Sequence, residues 1–303
     1  MAVSESPIFF IGMPRSGTTF IFEAFARHES LAWPTQFTQR VPALPALNLL
    51  RTMMDNRFFQ LSGRKGQYGR THLGNRYLPQ PNEAYRFWNR VASAAFARSF
   101  MREQKVSAAH RARVQNAVRE IMFWQGRCRF AAKFTGPPRI QFLSSLFPGA
   151  IFVHIVRDGR AVVHSLLKVP FWLAKGGYDN PFWEGGVSEE RLQAWKSHGS
   201  DPAVLAAMQW QDVIRTARVE AASLHSEQYF EVRYEDVIAD PVMRINAIAE
   251  RCGLNPSARI TRYLRDIPRI ESFNSKFRGE FSPELIAKLS DVMNPELRLL
   301  GYE

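Results

Sequence analysis

Residues 8–19 read Ile-Phe-Phe-Ile-Gly-Met-Pro-Arg-Ser-Gly-Thr-Thr, and this stretch decides how the rest of the chain is interpreted. Its first four residues are apolar, which is typical of a parallel strand buried on both faces. Two glycines follow, and residues 18–27 then carry apolar residues along a helical stretch. A strand, a glycine-containing turn and a helix in this order predict a loop whose backbone N–H groups and helix N-terminus bind a phosphate.

The loop departs from that of nucleoside triphosphatases at one position. Its spacing fits the pattern G-x-x-x-x-G-K-[ST], but Thr18 stands where that pattern has lysine. Because the lysine neutralises the β- and γ-phosphates of a triphosphate, we expect this loop to suit a less charged 5′-phosphate. Arg15 lies within the loop and supplies a cation that stabilises negative charge on a leaving group.

Composition limits the class of protein. The chain has 303 residues, 46% of them hydrophobic and 22% charged, which predicts one globular domain over residues 1–303. Two cysteines form neither a disulfide framework nor a zinc site, so we expect a cytoplasmic protein without a structural metal. No apolar run approaches the roughly 20 residues of a membrane span, so we also expect no transmembrane segment. The net charge of +12 indicates an anionic ligand.

The same alternation of strand and helix continues along the chain. Apolar runs predict parallel strands, and the segments around them predict helices, so we expect an α/β fold of three layers with a mainly parallel central sheet. The predicted strands are 7–11, 129–134, 150–156 and 228–232, and the predicted helices are 83–104, 108–125, 139–146, 159–167, 202–224 and 241–251. Two stretches that fit this pattern poorly, 33–81 and 171–198, are predicted to be long loops that bind an acceptor.

A second motif spans residues 147–165, Phe-Pro-Gly-Ala-Ile-Phe-Val-His-Ile-Val-Arg-Asp-Gly-Arg-Ala-Val-Val-His-Ser. Its predicted strand ends at Arg157 and Asp158, and a predicted helix carries Ser165. A guanidinium at the carboxyl end of a strand and a hydroxyl one or two helical turns further on can converge on one phosphate. A local ion pair between Arg157 and Asp158 is the structural alternative.

These two motifs resemble those of sulfotransferases that use 3′-phosphoadenosine 5′-phosphosulfate (PAPS), most closely the tyrosylprotein-sulfotransferase-like and bacterial branch. The resemblance covers residues 8–301. It implies a P-loop-like sulfotransferase fold and in-line transfer of a sulfuryl group from PAPS to a hydroxyl or amine acceptor. The product would be 3′-phosphoadenosine 5′-phosphate (PAP), and no metal is required.

The resemblance also implies roles for individual residues. The 5′-phosphate would be bound by Ser16, Gly17, Thr18 and Thr19, and the 3′-phosphate by Arg157 and Ser165. Arg15 and Lys133 would lie near the transferred sulfuryl group. More loosely, Lys276 and Arg278 resemble a basic loop that closes over the nucleotide, and the turn that begins at Tyr234 resembles a structural element of the family.

The general base is not evident from the resemblance, because Gln36 stands where a glutamate is expected and an amide cannot accept the proton. Glu83, in a proline-rich loop before a predicted helix, is the first candidate, and His72 is the second. The structural alternative for Glu83 is a helix cap or an ion pair with Arg86. For His72 the alternative is a free surface histidine.

Two other classes of function remain open at this point. A P-loop kinase or nucleotide-processing enzyme is disfavoured by the missing lysine and by the lack of a Mg²⁺-binding aspartate after an apolar strand. A nucleic-acid-binding module would explain the charge but leaves both phosphate motifs unexplained, so nucleic acid is not the expected partner. The acceptor, whether small molecule, glycan, lipid or peptide, and the oligomeric state stay undetermined.

Overall fold

Parallel strands form the central sheet of the computed structural model, which describes residues 6–56, 78–102, 104–266 and 273–302. The five strands found in these ranges lie side by side in the order β2-β3-β1-β4-β5. They are β1 (Ile8–Gly12), β2 (Leu31–Ala32), β3 (Arg129–Thr135), β4 (Ile151–Val156) and β5 (Tyr229–Arg233). The predicted α/β class and parallel sheet are therefore confirmed.

Helices connect and cover the strands. In the described ranges they are α1 (Thr18–Phe25), α2 (Gln36–Arg40), α3 (Leu49–Met54), α4 (Tyr85–Val91), α5 (Ala108–Trp124), α6 (Ile140–Leu146), α7 (Gly159–Leu166), α8 (Pro170–Ala174), α9 (Glu189–Ser197), α10 (Pro202–Ala221), α11 (Tyr234–Ala239), α12 (Pro241–Arg251), α13 (Ala258–Arg265), α14 (Lys276–Glu280) and α15 (Pro283–Leu299). Short 3-10 turns span Pro45–Asn48 and Phe273–Ser275. No helix in the described part of the chain has both the length and the apolar character needed to cross a membrane.

Strand β1 shows why the sheet lies between two helical layers. Successive side chains of a strand point to opposite faces, so an uninterrupted apolar run requires cover on both. Phe9 belongs to a core that includes residues of α4, α5 and α6, whereas Phe10 belongs to a second core with residues of α1, α12 and α13. Both phenylalanines are fully buried. A third core joins α7, α10 and α15.

The helix predicted over 83–104 is wrong beyond its first two turns. Helix α4 ends at Val91, and turns follow. The Asn89 side chain accepts a hydrogen bond from the Ala97 N–H at 2.9 Å, and the Phe96 ring stacks on Trp88 with 5.3 Å between centroids. The chain therefore folds back on α4 because aromatic packing outweighs local helix propensity.

The stretches predicted as long loops contain helices where the structure describes them. Helices α2 and α3 lie in 33–81, and α9 with most of α8 lies in 171–198. Residues 57–77 lie outside the described ranges. Each of these helices is short, so the periodic apolar pattern that identifies a helix in a sequence is too brief to stand out.

A buried carboxylate holds α3 against the rest of the fold. Asp55 accepts from Arg51 and Arg127, each at 3.3 Å, and from Arg259 at 2.9 Å. Arg51 is fully buried, and its guanidinium lies 3.9 Å from the centroid of the Trp33 ring. Burial, together with the Arg127 charge, lowers the pKa of Arg51 to about 9. Asp55 is thus the counterion that offsets the free-energy cost of burying the Arg51 charge.

Asp55→Asn is expected to destabilise the protein by about 3 kcal/mol or more, because it leaves buried arginine charge without a counterion. The free energy of unfolding from urea titration measures the effect. The control is Asp179→Asn, an exposed aspartate, which should change that free energy by less than about 0.5 kcal/mol. Equal stability of the two variants would contradict the counterion role.

Candidate active site

The glycine-containing loop connects β1 to α1 and leaves polar groups unpaired. Gly17 caps α1 with a left-handed φ of 85°, and no side-chain hydrogen bond caps this helix. The Ser16 hydroxyl is buried and has no hydrogen-bond partner among the described residues. Because helix N-terminal N–H groups and a buried hydroxyl both need partners, the loop fits an anion such as a phosphate.

Tyr234, the first residue of α11, packs against Gly17 of the glycine-containing loop. A Cβ atom added to Gly17 would lie 2.2 Å from Cδ2 of the Tyr234 ring, so only glycine allows this approach. The Arg157 guanidinium lies 4.8 Å from the centroid of the same ring. One aromatic side chain therefore positions both predicted phosphate-binding motifs.

Arg157 is oriented by two hydrogen bonds. Its Nε donates to Asn274 Oδ1 at 2.7 Å, and its Nη1 donates to the Arg15 carbonyl oxygen at 2.8 Å. Burial lowers the pKa of the Arg157 guanidinium. The structural alternative, an ion pair between Arg157 and Asp158, is not formed, because Asp158 pairs with Arg160, whose Nη2 lies 2.9 Å from Oδ2. Arg157 is therefore not neutralised by its neighbour and faces the loop.

Arg15 links the loop to the second motif. Its Nε donates to Ser165 Oγ at 2.8 Å, although the resemblance places these two residues at different groups of the nucleotide. Arg15 is exposed and has a φ of 73°, which a side chain with a Cβ rarely adopts. Such strain is characteristic of functional sites, where the surrounding structure maintains it.

Glu235 joins Arg157 indirectly to the carboxyl-terminal part of the chain. It accepts hydrogen bonds from Asn274 Nδ2, from the Asp158 N–H at 3.3 Å and from the Tyr302 hydroxyl at 2.5 Å. Burial, with Glu235 nearby, raises the pKa of the Tyr302 hydroxyl. Neither Asn274 nor Tyr302 was assigned a role from the sequence. Asn274 lies two residues before Lys276, in the segment that resembles the loop closing over the nucleotide, and Tyr302 lies 67 residues from Glu235 and belongs to no motif.

The two basic residues predicted to close over the nucleotide lie on α14, directly after Asn274. Lys276 and Arg278 are both exposed. Arg278 lines a cavity of about 330 Å³ together with Asn274 and Arg160, whereas Lys276 does not belong to its lining. The structure thus brings Arg278 close to the residues that orient Arg157.

Lys133 connects the phosphate loop to the predicted base. Its Nζ donates to Thr19 Oγ1 at 2.9 Å and lies 2.8 Å from Glu83 Oε1. Thr135 Oγ1 donates to the same Glu83 oxygen at 3.3 Å. The partners of Glu83 are therefore groups of β3 at the loop, and the helix that follows is capped by Ala84.

Tyr85 holds this carboxylate loop in place and was missed by sequence reasoning. Its hydroxyl donates to the Thr135 carbonyl and accepts from the Thr135 N–H, both at 2.9 Å. Burial, and the Glu83 charge next to it, raise the pKa of Tyr85, so the hydroxyl stays protonated. Ala84 has a left-handed φ of 52°, which turns the chain between Glu83 and Tyr85.

Gln36 takes a structural position rather than that of a base. Its Oε1 accepts from the Gln80 N–H at 2.6 Å, and its Nε2 donates to the Leu78 carbonyl. These bonds fix the start of α2 to the segment that leads into Glu83. The second candidate base, His72, lies outside the described residues.

The sheet, the loop between β1 and α1, and the cationic residues at its end define a P-loop-like α/β enzyme. The model of the sulfotransferase family matches residues 7–258 of this chain. The protein belongs to the sulfotransferase family, and it is an enzyme that transfers a sulfuryl group. Family membership leaves the kinase and nucleic-acid-binding interpretations without support.

Similar proteins agree with this assignment. The ω-hydroxy-β-dihydromenaquinone-9 sulfotransferases Stf3 of Mycobacterium bovis and Mycobacterium tuberculosis are each 23% identical to it over 284 residues, which cover 87% of this chain and 68% of theirs. The crystal structure of sulfotransferase STF9 from Mycobacterium avium has a TM-score of 0.59 at 15% identity, covering 98% of this chain and 77% of that one. At this identity the structural likeness shows a shared fold.

Gly17→Ala is expected to cost more stability than Gly126→Ala. Both glycines have a positive φ, but a Cβ at Gly126 meets no atom within 4 Å, whereas one at Gly17 collides with Tyr234. Backbone strain of about 1–2 kcal/mol is common to both, and overpacking adds about 1–3 kcal/mol at Gly17 alone. Thermal or urea unfolding compares the two variants, and equal losses would show that Tyr234 does not fix the loop.

Proposed function

We propose that this protein transfers the sulfuryl group of PAPS to a hydroxyl or amine acceptor by in-line displacement and releases PAP. The observation that carries the proposal is the position of Lys133, which contacts Thr19 of the phosphate loop and the Glu83 carboxylate at once. Sulfuryl transfer requires a cation in such a position, because the charge of the leaving phosphate must be neutralised close to the acceptor oxygen that loses its proton.

The phosphate loop is proposed to hold the 5′-phosphosulfate of the donor. The N–H groups at the start of α1 and the hydroxyls of Ser16, Thr18 and Thr19 bind its oxygens, and the absence of the usual loop lysine favours this group over a triphosphate. The unpaired Ser16 hydroxyl supports this assignment, since a buried hydroxyl without a partner costs about 1–3 kcal/mol.

The 3′-phosphate is assigned to Arg157 and Ser165. The bonds of Arg157 to Asn274 and to the Arg15 carbonyl use Nε and Nη1, so Nη2 is proposed as the guanidinium donor to the phosphate. Ser165 joins this site through Arg15, to which it is already hydrogen-bonded. Arg278, which shares a cavity with Asn274, is proposed to supply further positive charge, and Lys276 on the same helix is proposed to add to it.

In the reaction, the acceptor oxygen attacks sulfur as the bond between sulfur and the 5′-phosphate oxygen breaks. Glu83 takes the acceptor proton, and PAP leaves with the electron pair of the broken bond. Lys133 and Arg15 stabilise the charge that develops on the leaving oxygen and on the sulfuryl group.

A hydroxyl on a small molecule is the proposed acceptor class. The Stf3 relatives are named for an ω-hydroxylated dihydromenaquinone, which supports an alcohol acceptor here. The aromatic segment that contains Phe171 and Tyr178, both exposed, is a candidate surface for its apolar part.

PAP should bind without Mg²⁺ and more tightly than ADP, which lacks the 3′-phosphate. In Arg157→Ala, the affinity for PAP is expected to fall about 10- to 100-fold, the loss of one charge-assisted contact, while ADP affinity changes little. Calorimetry of both ligands with both proteins measures this. Equal losses for PAP and ADP would place Arg157 outside the 3′-phosphate site, and no binding of PAP by the wild type would remove PAPS as the donor.

Glu83→Gln should lower kcat at least about 100-fold and leave the affinity for PAP unchanged, because it removes a proton acceptor while keeping the shape of the side chain. The readout is PAP release from PAPS with an alcohol acceptor selected by screening. Glu227→Gln, an exposed glutamate, is the matched control and should keep the wild-type rate. Retained turnover in Glu83→Gln would move the base to His72 or to the substrate itself.

A further inference from the structure

The turn that ends α15 brings Tyr302 back onto the fold. Gly301 has a left-handed φ of 73°, and its N–H donates to the Arg298 carbonyl oxygen at 3.0 Å. The Tyr302 N–H donates to the Leu297 carbonyl oxygen at 2.9 Å. These two bonds form the Schellman motif, in which a glycine reverses the chain after a helix. Tyr302 is only 7% exposed, so the turn delivers its hydroxyl to a buried position.

The Tyr302 hydroxyl binds one oxygen of a shared carboxylate. It donates to Glu235 Oε2 at 2.5 Å. The other oxygen, Oε1, accepts from Asn274 Nδ2 and from the Asp158 N–H at 3.3 Å. Because donors from three separate segments bind its two oxygens, the carboxylate cannot rotate without losing hydrogen bonds. Tyr302 therefore helps to fix the oxygen that faces Asn274.

The polarity of the Asn274 amide follows from the groups on its two sides. The Nε–H of Arg157 can only donate, and the Glu235 carboxylate can only accept. Asn274 therefore presents Oδ1 to Arg157 and Nδ2 to Glu235, as the structure shows. If the amide turned over, two donors would face each other on one side and two acceptors on the other. Glu235 thus holds Asn274 in the orientation that binds Arg157.

Asn274 in turn helps to fix the plane of the Arg157 guanidinium. Arg157 is 7% exposed, and its Nε donates to Asn274 Oδ1 at 2.7 Å. Its Nη1 donates to the Arg15 carbonyl oxygen at 2.8 Å. Since a guanidinium is planar and rigid, two bonded nitrogens also determine where Nη2 points. In the function proposed above, Nη2 is the donor to the 3′-phosphate.

We propose that Tyr302 is a positioning residue for recognition of the 3′-phosphate of the donor. It acts on Arg157 through Glu235 and Asn274, and it needs no contact of its own with the nucleotide. The role rests on the proposed function, because it requires that Arg157 bind the 3′-phosphate. A merely structural tyrosine, one that only joins the end of α15 to α11, would affect stability without changing which nucleotide the protein prefers.

The test is the ratio of the affinities for PAP and ADP in Tyr302→Phe, measured by calorimetry. This change removes the hydroxyl and keeps the ring, including its contact with the Arg233 guanidinium, which lies 4.6 Å from the ring centroid. The affinity for PAP is expected to fall about three- to tenfold, the size of an effect that reaches the ligand through other residues. The affinity for ADP, which has no 3′-phosphate, should stay unchanged.

A second variant and a matched control accompany this measurement. Asn274→Ala, at a partly exposed residue, removes the acceptor of Arg157 directly and should lower the same ratio at least as much. The control is Tyr263→Phe. The Tyr263 hydroxyl donates to Glu23 Oε2 at 3.0 Å, so this variant loses a buried tyrosine–glutamate bond of the same kind, but between α13 and α1. It should leave the ratio of PAP to ADP affinity unchanged.

The double variant Arg157→Ala with Tyr302→Phe tests the route of the effect. Because Tyr302 acts through Arg157, its change should lower the ratio no further once Arg157 is absent. An unchanged ratio in Tyr302→Phe, or a further fall in the double variant, would overturn the positioning role and leave the proposed function intact. A wild type that binds PAP no more tightly than ADP would overturn both.

Discussion

The candidate active site depends on the position of β1 between β3 and β4. The register pairs Gly12, the last residue of β1, with Thr135 of β3 and Ile155 of β4. Because all three strands are parallel, their carboxyl ends meet at one edge of the sheet, where the loop after β1 begins. Lys133 and Arg157 therefore approach the same loop although they come from strands separated by a helix in the chain.

Two carboxylates, one buried and one partly buried, join segments that are distant in sequence. Asp55 binds arginines from α3, from the turn before β3 and from α13, and Glu235 connects the start of α7 with Asn274 and Tyr302. Each is surrounded by hydrogen-bond donors, which in the case of Asp55 compensate for its burial. The first fixes α3, and the second fixes Asn274, the residue that orients Arg157.

The segment that carries the proposed base is held in place by the residue that stands where a base was expected. Gln36 stands where the resemblance leads one to expect a carboxylate, and its amide binds the backbone of the segment before Glu83. Glu83 then reaches Lys133 from that segment. An amide suits this task because it donates and accepts at once, which a carboxylate does not.

Local sequence patterns determined the elements of the fold. The sequence predicted the strands β1, β3, β4 and β5 and the long helices α5 and α10 close to their observed bounds. This was possible because a strand buried on both faces and a periodic helix each produce a recognisable pattern in consecutive residues. Short elements such as β2 and α3, and the true end of α4, were not predicted, because packing partners far along the chain decide them.

The sequence alone likewise determined the two motifs, since a strand, a loop and a helix N-terminus are contiguous. Only the tertiary structure decided which side chains meet there: Glu83 with Lys133, Asn274 with Arg157, and Tyr234 beneath Gly17. It also decided that α3 turns its arginine inward and its leucine outward. Those contacts join residues that are tens to more than a hundred positions apart in the chain. A local sequence pattern does not predict them, because the residues come into contact only when the sheet and the helices pack together.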